Sequence, residues 1–79
     1  MTKTRNSLGE LIRFRRKELK LTQEELGNLA GLNRLTISEY ERGRVSYPRF
    51  ETLELLADAL GVPASDLVAV AYQKMDNEV

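Results

Sequence analysis

The chain of 79 residues contains neither cysteine nor histidine. Without thiols it forms no disulfide and no thiolate zinc site, and without imidazole it lacks the side chain that most readily moves protons near neutral pH. Only carboxylates, lysine and tyrosine remain for chemistry, so no catalytic residue, no metal-ligand set and no cofactor is expected. Long hydrophobic runs are missing too. The longest, Leu67 to Tyr72, has six residues, against roughly 20 needed to cross a bilayer. No signal-peptide pattern opens the chain, and a cytoplasmic protein without a membrane segment is expected. Proline is confined to Pro48 and Pro63, which leaves long stretches free to be helical. So short a chain builds one modest core, and whatever it does it must do on its surface.

Net charge is also lacking, since 12 Lys and Arg balance 12 Asp and Glu. Their distribution is uneven. Between Met1 and Arg49 there are eleven basic residues against six Glu, and between Phe50 and Val79 one Lys against six acidic residues, a balance of +5 against −5. A basic and an acidic pole are expected, the first suited to a polyanion.

What is present is helical periodicity, broken by Gly and Pro. The first helix is expected over Leu8 to Leu19, capped by Ser7, with Leu8, Leu11, Ile12 and Leu19 as its apolar stripe. Thr22 followed three residues later by Glu25 is a capping box that starts a second helix. Leu26, Leu29 and Ala30 should form its buried face, with Gly31 ending it. Asn33 caps a third helix, Arg34 to Arg42, whose inward side is Ile37, Tyr40 and Glu41, with Gly43 as terminator. Pro48 opens a fourth, buried through Leu53, Leu56, Ala57 and Leu60 and stopped by Gly61 and Pro63. A fifth begins near Ala64 to Asp66 and carries Leu67, Val68, Ala71, Tyr72 and Met75. The expected organisation is a basic arm over 1–7, a helical domain over 8–72 and a polar tail over 73–79.

The stretch Thr22 to Gly43, TQEELGNLAGLNRLTISEYERG, resembles the Cro/C1-type helix-turn-helix of the XRE family, the DNA-binding domain of lambdoid phage repressors and many bacterial regulators. Counting from Gln23, the pattern asks for Leu26, a small residue four on (Gly27), Gly eight on (Gly31) and an aliphatic residue fourteen on (Ile37). The resemblance runs from about Leu8 to Leu67 and takes in PRF at Pro48 to Phe50 and ALGV at Ala59 to Val62. Gly27 stands where Ala is commoner, and Lys20 where Gly often ends the first helix. The resemblance implies an all-α, five-helix, lambda-repressor-like DNA-binding domain in which the second and third helices form the helix-turn-helix. It also implies an ion pair between Arg16 and Glu41 that joins the first helix to the third, a structural contact.

In this motif the third helix enters the major groove while the second lies across the backbone. Asn33, Arg34, Leu35, Thr36, Ser38 and Glu39 are then the base-reading candidates. A guanidinium at Arg34 suits guanine O6 and N7, with a phosphate contact as the alternative, and Leu35 suits a thymine methyl. Glu39 suits cytosine N4, or orients Arg34, or repels other sequences. Thr22, Gln23, Arg42, Arg44, Ser46 and Tyr47 are expected on phosphates and Arg49 toward the minor groove, with a plain surface charge on the fourth helix as its alternative, while Lys3 and Arg5 suit a frayed terminus better than a specific contact of a mobile arm along the backbone. One short helix reads too few base pairs for useful specificity, so a homodimer on a palindromic operator of double-stranded DNA is expected, with Leu67, Val68, Val70, Tyr72 and Met75 as its interface. Repression is the expected outcome. The same residues also fit a restriction–modification controller, an autoregulating antitoxin with a protein partner on the acidic C-terminal side, or an interaction domain that has lost DNA.

Overall fold

The computed structural model describes residues 7–77, with side-chain surroundings described for 8–72. Lys3 and Arg5 of the expected arm, and the Met75 side chain, lie outside the described residues. Five helices follow in order: α1 Ser7–Glu18, α2 Gln23–Ala30, α3 Arg34–Glu41, α4 Phe50–Leu60 and α5 Ala64–Asn77, with no strand among the described residues. Ser7 is the first residue of α1, where the sequence placed it as a cap, and α5 runs five residues past Tyr72 through the segment expected as a tail. No helix among the described residues is long and apolar enough to cross a membrane.

The helix ends follow from local chemistry. Thr22 Oγ1 accepts from the Glu25 amide at 3.0 Å and the Glu25 carboxylate accepts from the Thr22 amide at 2.9 Å, so the capping box is complete. Asn33 Oδ1 accepts from the Thr36 amide at 2.8 Å and from the Thr36 hydroxyl at 3.0 Å, fixing the start of α3. At the other end of α1 the chain turns through Lys20, a non-glycine residue at φ 59°, with the Leu21 amide reaching back to the Arg16 carbonyl at 3.1 Å. The left-handed region is sterically unfavourable for a residue with a Cβ. A wrap of the chain normally reserved for Gly is therefore carried here by lysine.

Ile12, Leu26, Ile37, Leu53, Leu56, Leu60 and Leu67 are fully buried, and every helix supplies at least one of them. Burial of each such side chain contributes about 1.5–3 kcal/mol, and no helix can leave without opening the core. α1 and α4 form the centre, α4 packing against α1, α2 and α5, and α1 against α3, α4 and α5. Arg15 reinforces that centre: its Nε donates to the Leu60 carbonyl at 2.9 Å, satisfying an acceptor at the C-terminus of α4, while Nη1 meets Glu18 at 3.1 Å.

Three expectations about burial are corrected. Leu29 is 62% exposed, because α2 turns Leu26, Gly27 and Ala30 inward and the buried arc is too narrow to include it. Leu19 lies beyond the end of α1 and is exposed. Leu67, assigned to the dimer surface, has 0% exposure and belongs to the core. α5 packs on both α4 and α1, so more than one of its faces is used within the domain. Val68, Ala71 and Tyr72 are partly buried against the same core.

Candidate nucleic-acid interface

The geometry of α2 and α3 is set at Gly27. A Cβ there would lie 2.5 Å from the Leu32 carbonyl oxygen, a clash with backbone and not with a side chain that can swing away. The Leu32 amide in turn donates to the Gly27 carbonyl at 2.8 Å. The three residues Gly31, Leu32 and Asn33 thus fold directly back over the end of α2 before α3 begins.

Along α3, at about 100° per residue, Ile37, Ser38, Tyr40 and Glu41 fall on one arc, and all four are buried. Leu35, Glu39 and Arg42 fall on the opposite arc. Leu35 is 63% exposed, Arg42 is exposed and Glu39 is half-buried. Arg34 lies angularly near the buried arc yet is exposed, because it is the first helical residue and overhangs the core. Ser38 is the correction. At 8% exposure it packs inward beside Ile37 and Glu41 and does not belong to the reading surface. Asn33 and Thr36 have their side-chain oxygens engaged in the cap, which leaves the Asn33 amide as the group free to donate outward. Among the described residues no hydrogen bond or ion pair joins Glu39 to Arg34.

Behind this surface Arg16 and Glu41 meet in a buried, two-pronged contact, Nε to Oε2 at 2.6 Å and Nη2 to Oε1 at 3.0 Å, while Nη1 donates to the Leu21 carbonyl at 2.8 Å. Sequence reasoning missed the next link, in which Gln23 Nε2 donates to Glu41 Oε1 at 3.1 Å. Three elements, the C-terminal parts of α1 and α3 and the first residue of α2, are therefore tied at one point. The capping box uses the Glu25 amide, so the amides of Gln23 and Glu24 face outward along the α2 axis, a geometry that suits an anion.

After α3, Gly43 takes φ 73° and the Arg44 amide donates to the Glu39 carbonyl at 3.0 Å. Val45 is half-buried against the core, while Arg44, Ser46, Tyr47 and Arg49 are all exposed, Tyr47 at 79%. The structure thus places Arg34 and Leu35 on α3, Arg42 at its C-cap, and four further polar or aromatic side chains on the loop that follows. The acidic residues Glu51, Glu54 and Asp58 instead line a groove of about 430 Å³ on α4 and the α4–α5 turn, floored by Leu55, Ala57, Val62 and Ala64. That groove holds no basic side chain and does not suit a polyanion.

The family model described as "Helix-turn-helix" matches residues 12–67, more than half of the chain. The chain belongs to the XRE-type helix-turn-helix family. Among curated relatives it is 42% identical over 62 residues to the immunity repressor protein of Bacillus phage phi105, covering 78% of this chain and 42% of that protein. It is 40% identical over 68 residues to the cryptic phage CTXphi transcriptional repressor RstR of Vibrio cholerae, covering 86% of this chain and 60% of that one. This XRE-type chain therefore spans about half the length of these relatives. Among solved structures, the DNA-binding domain (1–76) of the P22 C2 repressor superposes with a TM-score of 0.70 at 36% identity, covering 82% of this chain and 93% of that one. The clp gene regulator ClgR of Corynebacterium glutamicum superposes with a TM-score of 0.73 at 29% identity, covering 95% of this chain and 79% of that one. Family and fold are those of DNA-binding regulators, not of enzymes.

Proposed function

We propose that this XRE-type domain binds double-stranded DNA sequence-specifically, as a homodimer on a palindromic operator, and represses transcription in the cytoplasm. The observation that carries the reading is the exposed outer side of α3, with Arg34, Leu35 and Arg42 projecting from a helix braced by Ile37 and by the joint at Gly27. The phi105 and CTXphi relatives are named repressors, which favours repression. Arg34 reads guanine, Leu35 meets a thymine methyl, and Glu39 faces the groove as an acceptor for cytosine N4. Thr22, the start of α2, Arg42, Arg44, Ser46 and Tyr47 hold phosphates, and Arg49 enters the minor groove. For dimerisation, the large apolar side chains exposed among the described residues of α4 and α5 are Phe50 and Leu55 of α4, with Val70 of α5 half-buried.

Selection of bound duplexes from a random pool tests the reading. The expected outcome is a palindrome with half-sites about 34 Å apart. Arg34→Ala is expected to relax preference at one symmetric base pair, a loss of about 1–3 kcal/mol in discrimination there. Uniform weakening across all sequences would make Arg34 a phosphate contact, and no enrichment at low salt would end the proposal.

A further inference from the structure

The loop between α3 and α4 carries four of the seven residues assigned above to phosphates or the minor groove, yet it contains no regular secondary structure. It is pinned at two points near its start. The Arg44 amide is held by the Glu39 carbonyl at 3.0 Å, and Val45 is half-buried against the core. Ser46 and Tyr47 then run exposed, and Arg49 caps α4 in an extended conformation (φ −87°, ψ 139°) without a side-chain capping bond. The far end is held twice: the Arg49 carbonyl accepts the Leu53 amide at 3.0 Å, and, from a residue remote in sequence, the Tyr72 hydroxyl on α5 donates to the Pro48 carbonyl at 3.0 Å, across 24 positions of chain. That carbonyl belongs to the peptide joining Pro48 to Arg49, so its orientation fixes the plane from which Arg49 departs. The Tyr72 ring is itself half-buried against the core and gives the hydroxyl a firm base.

We propose that Tyr72 is a positioning residue of the nucleic-acid interface, fixing the Pro48–Arg49 peptide so that Arg49 and Tyr47 meet DNA in one orientation. This rests on the reading of the α3–α4 loop as part of the DNA surface. It reassigns Tyr72 from a contact between subunits to a tether inside one subunit, and it makes α5 a partner in DNA binding without touching DNA. A loop whose Pro48–Arg49 peptide were free to turn before α4 would have to be ordered on binding, at a cost in affinity. The tether meets that cost in advance, during folding.

The test is Tyr72→Phe, which keeps the ring and removes the hydroxyl. In the free protein, backbone order parameters at Tyr47, Arg49 and Phe50 are expected to fall while those of α1 and α2 keep their values. On the selected operator, affinity is expected to fall about three- to ten-fold, the size of one missing neutral hydrogen bond. The decisive arm is a double-mutant cycle. In an Arg49→Ala background Tyr72→Phe should cost less than about two-fold, whereas in an Arg34→Ala background its full effect should persist. Equal losses in both backgrounds would mean a general effect on stability and overturn the proposal, as would unchanged order parameters in the loop or unchanged affinity. If the unaltered protein selects no sequence at all, the DNA-binding reading itself falls, an outcome visible before any variant is made.

Discussion

Arg16 and Glu41 have exchanged most of their hydration for each other, with 10% and 5% of their side chains exposed. Such a pair adds little relative to well-packed apolar residues, but removing one member strands a buried charge. Glu41→Ala is therefore expected to destabilise by about 3–5 kcal/mol, read from the urea midpoint, while Arg16→Met combined with Glu41→Leu should lose less than either single change. Because Gln23 also donates to Glu41, the single change is expected to disturb the start of α2 as well, visible as faster amide exchange there. Lys20 offers the opposite case. Its φ of 59° costs about 1–2 kcal/mol in a residue with a Cβ, offset in part by the greater unfolded-state entropy that Gly would bring. Lys20→Gly is accordingly expected to stabilise by up to about 1 kcal/mol in thermal or urea unfolding. Both sites were visible in the sequence only as family positions. Burial of the pair and the sign of φ are properties of the folded chain.

At the scale of elements, the caps were legible because they are local. Thr22 with Glu25, Asn33, and the glycines at 31, 43 and 61 act within four or five residues of themselves, and the helix boundaries fall within about two residues of expectation, the usual fraying range, except at the end of α5. Which face of a helix is buried was less legible, because it depends on the angle at which a neighbour crosses. Leu29 looked inward by spacing and is exposed, and Ser38 looked outward by analogy and is buried. The α2–α3 joint is the element whose failure would matter most for function. Gly27→Val would bring branched carbon against the Leu32 carbonyl. A loss of about 1–3 kcal/mol is expected from overpacking, with the chemical shifts of residues 31–37 displaced more than those of α4. If the variant unfolds at the unaltered midpoint with an undisturbed joint, the close approach at Gly27 does not set the geometry.

At the scale of the whole molecule, the charge asymmetry read along the sequence becomes a division of surfaces. Exposed Arg34, Arg42, Arg44 and Arg49 occupy α3 and its following loop, and Glu51, Glu54 and Asp58 occupy the groove on α4. Arg42, Arg44 and Arg49 from each of two subunits make about six cationic contacts per dimer, which predicts that log affinity falls with log salt at a slope near −5. Arg44→Ala should make that slope shallower by about one for each phosphate no longer neutralised, whereas Glu54→Gln should leave it unchanged. A salt-independent affinity would refute the phosphate assignments together. By itself the sequence determined the order of five helices and their ends, because these follow from spacing and from caps that act over short range, while the class of fold and the segment carrying the candidate reading side chains came from the resemblance of Thr22 to Gly43 to the helix-turn-helix family. Only the tertiary structure decided that Leu67 closes the core, that Ser38 faces inward, that Gln23 joins the ion pair, and that Tyr72 holds the loop before α4. Each of those depends on residues brought together from distant parts of the chain, and periodicity along one helix carries no information about which neighbour will cover it.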